Sequence, residues 1–152
     1  MIKKYKSEIR DVKYGKDVTI VEPSNLYECI LEDNVFVGPF CEIQKGVRIG
    51  INTRVQSHTF ICELVTIKED CFIGHGVMFI NDLFKDGKPS ENPKLWKETL
   101  ISSNVSIGSN STILPINICS NVVIGAGSVV TKDIKESGFY VGNPAVKIRN
   151  IK

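Results

Sequence analysis

No run of apolar residues in this sequence approaches the ~18 that a helix needs to cross a bilayer, so a membrane span is not expected. No apolar segment stands behind Met1-Ile2-Lys3-Lys4-Tyr5-Lys6 either, which speaks against a secretory leader. A charge excess is missing too. The 19 Lys and Arg against 17 Asp and Glu leave a formal +2, too little to attract nucleic acid or an anionic membrane surface. The five cysteines are odd in number and irregularly spaced, which argues against a disulfide framework and for a reducing, cytoplasmic setting. What is left is 152 residues, 42% apolar and 24% charged. That is one domain by length (1–152), with enough apolar material for a continuous core.

The positive signal is a period of six. Leu31, Val37, Ile43, Ile49, Val55, Ile61, Ile67, Ile73 and Phe79 follow one another at that spacing without a gap. At this apolar content, nine hits in a fixed register have a chance of about 1 in 2,000. Four residues after each of the first eight comes a small or β-branched side chain: Val35, Cys41, Val47, Thr53, Thr59, Val65, Cys71 and Val77. Six fits neither a helix nor an alternating strand. It fits a solenoid in which each hexad is a short strand plus a corner, and three hexads close a triangular coil. Cys41 and Cys71 are then core fillers, while Cys29, Cys62 and Cys119 carry no clear message.

The register returns at Ile101, Ile107 and Ile113, then slips by one to Ile118, Ile124 and Val130. The polar stretch at about 83–98, with Pro89 and Pro93, has no six-residue period and reads as a loop leaving the solenoid. Loops of that length are usually functional or disordered. Ile20 and Leu26 keep a weaker register off by one, and about 132–152 drops the repeat and reads as a cap on the open end.

The repeats, together with Gly125-Ala126-Gly127-Ser128-Val129-Val130-Thr131-Lys132-Asp133 and Gly142-Asn143-Pro144-Ala145, resemble the hexapeptide-repeat acyltransferases. The resemblance implies an all-β, left-handed parallel β-helix; periodicity alone does not give the hand, and most parallel crossovers are right-handed. It also implies acetyl-CoA as acyl donor and a homotrimer with active sites between neighbouring subunits. A narrower match is Gln56-Ser57-His58-Thr59-Phe60-Ile61-Cys62-Glu63-Leu64-Val65-Thr66-Ile67, with Phe72-Ile73-Gly74-His75-Gly76-Val77-Met78-Phe79-Ile80-Asn81-Asp82. This is similar to the N-acetyltransferases of dTDP-linked 3-amino-3,6-dideoxyhexoses, which serve O-antigen and other surface-glycan biosynthesis. There the residues matching Glu63, Asn81 and Asp82 lie at the sugar. A sister group acting on UDP-linked 3-amino uronic acids shares the asparagine, and Ile80 and Asp82 on either side of it favour the dTDP group. One departure stands out: Ile116 follows Pro115 where the family usually has glycine, and that hexad is one residue short.

The residues can also be read without the family. Glu63 and Asn81 are 18 positions apart, one coil, so they should stack at the ~4.8 Å spacing of neighbouring strands. Both sit two places after a core residue, where side chains point outward, and Lys45 lies one coil below. A carboxylate beneath a carboxamide at the loop's mouth can grip an amine and the hydroxyl beside it; the plainer alternative is a solvated polar ladder. His75 takes an outward slot over Ser57 and is the obvious general base for acyl transfer. An amine nucleophile needs less activation than a hydroxyl, however, and the resemblance implies that no protein base is required. His58 reads as structural and Trp96 as a loop anchor. For coenzyme A the candidates are backbone groups at Gly108, Ala126 and Gly127, and a basic set of Lys132, Lys147 and Arg149 for its phosphates.

Asn81 and His75 are thus the catalytic candidates; Glu63, Asn81 and Asp82 are placed at the sugar, with Asp82 buttressing the sugar or the loop; Gly108, Ala126, Gly127 and Lys132 are the candidates for coenzyme A. The rivals are an N-acetyltransferase of UDP-linked amino sugars, an O-acetyltransferase using His75 as base, and a structural or binding solenoid. The last would favour an uninterrupted repeat with a regular threonine face. Two histidines in the whole chain count against a zinc carbonic anhydrase on the same fold, whose metal needs three, and no metal is expected.

Overall fold

The computed structural model describes residues 2, 3 and 8–151. Met1 and 4–7, within the stretch read for a leader, and Lys152 at the end of the cap lie outside the described residues. The chain is a left-handed parallel β-helix with three faces. Counting the described residues, the first face stacks seven strands, among them Glu42–Ile43, Phe60–Ile61, Met78–Phe79 and Thr112–Ile113. The second stacks six, including Arg48–Ile49, Val65–Ile67 and Thr99–Ile101. The third stacks eight, including Arg54–Val55, Phe72–Ile73 and Val105–Ile107.

The nine-residue apolar series accounts for the core. All nine side chains from Leu31 to Phe79 are fully buried, and from Ile43 on each stacks on equivalents in the neighbouring coils. Burying such a side chain is worth roughly 1.5–3 kcal/mol, and the stack repeats that gain at every coil. Cys41 and Cys71 are buried in the slot for small residues as expected. Cys29 lies one hexad before Val35 in that same series and is buried too; Cys62, next to Ile61 and outside that series, is also buried.

The corners turn through left-handed backbone, which asparagine, aspartate and glycine tolerate best. Between the second and third faces this role falls to Asn34, Asn52, Asp70, Asn104 and Asn121, with φ from 56° to 59°. Their side chains form rungs: Asn34 Nδ2 donates to Asn52 Oδ1 at 3.1 Å, and Asn52 Nδ2 to Asp70 Oδ1 at 3.0 Å.

The two irregularities in the period appear as geometry. Ile67 pairs with Ile101, 34 residues on instead of 18, so the loop inserts 16 extra residues into one coil. The coil from Ile101 to Ile118 is one residue short. Its corner is Leu114-Pro115-Ile116, and Ile116 turns inward to join the core at 7% exposure. The C-terminal segment adds Gly138–Gly142 to the third face and folds back antiparallel as Ala145–Arg149. Tyr140 and Ala145 pack against the end of the core.

Candidate active site

The loop leaves the helix at the corner between the first and second faces, directly after Asn81. Glu63 and Asn81 are stacked there, as the 18-residue spacing requires, but the contact differs from a simple side-chain pair. Asn81 Nδ2 donates to the backbone carbonyl of Glu63 at 3.3 Å. That orients the carboxamide and leaves its oxygen without a hydrogen bond among the described residues. One coil below, Gln44 Oε1 accepts the Glu63 backbone N–H at 3.3 Å, while Gln44 Nε2 donates to Glu42 Oε1 at 2.9 Å. Tyr27 stands beside these groups. Burial, then the negative charges of Glu42 and Glu63, push its phenol above the ordinary value. Gln44, Glu42 and Tyr27 were not anticipated from the sequence. The available signal is that Gln44 lies one coil below Cys62, next to the column of Lys45, Glu63 and Asn81.

Lys45 does lie beneath Glu63, but its ammonium faces the Glu28 carboxylate at 4.0 Å. Asp82 turns away from the column into the loop. One carboxylate oxygen accepts the Phe84 N–H at 2.9 Å and the other the Ser90 N–H at 2.6 Å. Its contacts are therefore those of a loop clamp. Lys97 N–H closes the loop's far end on Asn81 O at 2.9 Å. Trp96 is half-buried at the same end, its indole N–H buried without a partner.

His75 occupies a different corner, between the third and first faces. It is exposed and lies over Ser57, whose carbonyl accepts the Gly76 N–H at 3.0 Å. Its Nδ1 is 3.4 Å from Ser109 Oγ, one coil above. Gly108, Ala126 and Gly127 share this corner: Gly127 N–H reaches Ser109 O at 2.8 Å. A Cβ on Gly108 would fall 2.4 Å from Ala126 N, so only glycine allows the two coils this approach. A Cβ on Gly127, by contrast, would have nothing within 4 Å. The Gly127 end of this corner thus presents open backbone.

Lys132 is not part of that group. It follows the Val129–Val130 strand and stands at the same corner as Asn81, two coils further along, or about 10 Å at the usual spacing. Lys147 is paired with Glu136, and Arg149 lies over the Phe139 ring at 4.6 Å, so both are engaged within the terminal hairpin. His58 stacks on Phe40 with ring centroids 4.9 Å apart. Among the described residues no group of three or more His, Cys, Asp or Glu is placed to hold a metal ion. No helix there is long and apolar enough to cross a membrane.

The candidate residues of one chain therefore fall into two groups: the Glu63–Asn81 rung at the loop, and the His75 corner with its glycine-lined backbone. A family model described as "hexapeptide repeat of succinyl-transferase" matches residues 29–60 and 99–132, the coils on either side of the loop. Those two stretches of the chain carry the hexapeptide repeat.

Its hexapeptide-repeat coils are 32% identical to the bifunctional protein GlmU of Thermosipho africanus over 154 residues, covering 90% of this chain and 32% of that one. The GlmU of Streptococcus uberis is 35% identical over 152 residues, covering 88% of this chain and 31% of that one. The chain spans about a third of the length of the curated relatives it matches. Among solved structures, a variant of AntD, an N-acyltransferase from Bacillus cereus, superposes with a TM-score of 0.82 at 23% identity. The match covers 92% of this chain and 83% of that one. That structure holds dTDP-4-amino-4,6-dideoxyglucose and coenzyme A. A hexapeptide-repeat acetyltransferase from Vibrio cholerae complexed with acetyl coenzyme A gives 0.67 at 26% identity, covering 79% and 69%.

Proposed function

We propose that the chain is an acetyl-CoA-dependent N-acetyltransferase that acts on the amine of a dTDP-linked amino-dideoxyhexose, with the 3-amino sugars as first choice. The observation that carries this reading is the Asn81–Glu63 rung. Its carboxamide is oriented through nitrogen, its oxygen is free to accept, and a carboxylate lies one coil below at the mouth of the only inserted loop among the described residues. Such a pair recognises an amine and the hydroxyl next to it. The likeness in fold to an N-acyltransferase with a dTDP-amino sugar bound supports the same substrate class, although that sugar carries its amine at C4.

When bound, coenzyme A supplies the acetyl group as a thioester, and the open backbone at Ala126 and Gly127, next to Gly108, would hold its pantetheine arm. The neutral amine attacks the thioester carbonyl directly. Asn81 and Glu63 hold the amine in line, and orientation of this kind is a large part of the barrier for a two-substrate reaction. A corner N–H stabilises the developing oxyanion, and the departing thiolate takes the proton. His75 is then a positioning group. The two half-sites lie on different corners of one chain, six residues apart along the Met78–Phe79 strand. A homotrimer in which a neighbouring copy brings its His75 corner to this chain's loop would complete the site. The product would enter surface-glycan synthesis, and the enzyme would work in the cytoplasm.

Acetyl-CoA turnover against dTDP- and UDP-linked 3-amino and 4-amino sugars tests the proposal. Turnover confined to nucleotide-linked amino sugars is the expected result. Activity on none of them, together with acetylation of a simple hydroxyl acceptor, would replace it with the O-acetyltransferase reading.

A further inference from the structure

The 16-residue insertion is more than a spacer. It folds around a cavity of about 390 Å³ that begins at Asp82, the residue after Asn81, and that volume is within the range of small-molecule sites. The cavity's walls are built from inside the loop. The Asp82 carboxylate holds Phe84 and Ser90, the Asn92 side chain accepts the Lys94 N–H at 3.1 Å, and a short 3-10 turn at Pro93–Leu95 follows. A pre-formed wall reduces the ordering cost of a ligand.

The lining combines three chemistries. Leu83 and Leu95 contribute apolar surface although both are exposed. Lys85, Lys88 and Lys97 contribute ammonium groups that have no carboxylate partner among the described residues. Asp86 and Glu91 contribute carboxylates that are likewise unpaired. A bare anion would leave the leucines and both carboxylates unused, and an apolar ligand would leave five charges unused. A nucleoside diphosphate uses all three: a flat base on leucine, phosphates on lysine, and the pentose hydroxyl (one in dTDP, two in UDP) donating to a carboxylate.

We propose that this loop cleft seats the nucleoside diphosphate whose sugar reaches back to Asn81 and Glu63. The inference rests on the amino-sugar-nucleotide reading above and assigns its carrier half to a separate set of residues. The loop, absent from a regular coil, then decides which carrier is accepted, while the helix corner decides which sugar.

The test is calorimetric titration of the full chain with dTDP and, separately, UDP, neither of which carries an amino sugar. Measurable binding of at least one is expected. The Lys85→Ala/Lys88→Ala double variant and Leu95→Ala should each weaken it by about tenfold or more, the loss for one or two charge-assisted contacts or a stacking surface. Coenzyme A binding should be unchanged in both. Nucleotide affinity equal to wild type in both variants would overturn the inference, whatever the enzyme's activity. If the variants lose nucleotide but the wild-type protein acetylates no amino sugar, the cleft assignment stands and the reaction reading falls.

Discussion

The Asn81 carboxamide donates to the backbone carbonyl of Glu63, not to the Glu63 carboxylate, at 3.3 Å. This gives the two residues separate duties. Asn81 is held by the coil below it through its nitrogen, and the Glu63 carboxylate stays available for a ligand. Exchange of Asn81 for alanine should lower kcat/KM for amino-sugar acetylation by roughly 100-fold, the scale on which misplacing a reacting group acts. The thermal midpoint should move little, because the lost hydrogen bond is half-exposed. Steady-state kinetics beside a melting curve checks both. A rate unchanged from wild type would remove Asn81 from the site.

His75 separates the amine reading from the hydroxyl reading. With an amine acceptor, His75→Ala should cost about tenfold or less; a hydroxyl acceptor dependent on a general base would lose 10²–10⁴-fold. The His75→Gln variant keeps a hydrogen-bonding group near Ser109 and should recover most of the amine activity. Measuring kcat separately from KM shows whether position or proton transfer was lost.

The asparagine corner makes a stability prediction unconnected with catalysis. Asn52 sits at φ 58° and bonds to a rung on either side. Asn52→Ala forces a Cβ residue with no side-chain rung into left-handed backbone and should cost about 1–2 kcal/mol. Asn52→Gly removes the rungs but not the backbone preference, and should cost less. Denaturant unfolding of the two variants gives the comparison, and equal losses would mean that the rungs alone matter.

The thiols predict an alkaline limit. Burial pushes Cys29 and Cys71 up to about 11 and Cys62 up to about 12, from an ordinary 9.0. The folded protein therefore keeps these protons at a pH where the unfolded chain has released them. Their contribution to stability is fully present below pH 9 and is lost as pH rises from there toward the folded values. Unfolding midpoints measured from neutral pH upward should fall in that window, and replacing Cys62 with alanine should flatten part of the fall. In the native protein, a thiol reagent near neutral pH should label Cys119, which is half-buried, well before the other four.

The sequence alone carried the coil. Nine apolar residues at a period of six dictate a core column because each must be buried, and a parallel solenoid is the arrangement that buries them at that spacing. The same arithmetic stacked Glu63 on Asn81 and His75 on Ser57, since pairing between neighbouring strands is local and repeats. It also bounded the inserted loop. Interactions that do not repeat were decided by tertiary structure. Asp82 could buttress either the sugar or the loop on the linear motif; that its carboxylate meets Phe84 and Ser90 was decided by the fold, because only the folded loop brings those N–H groups back to it. Lys132 is five residues from Gly127 in sequence, but the Val129–Val130 strand carries it to another corner. Gln44 and Tyr27 gained their relation to Glu63 through burial and charge across coils, and the loop cavity exists only where an irregular chain closes on itself. Periodicity determines a column because identical neighbours repeat the same contact; a site depends on single contacts, and those need three dimensions.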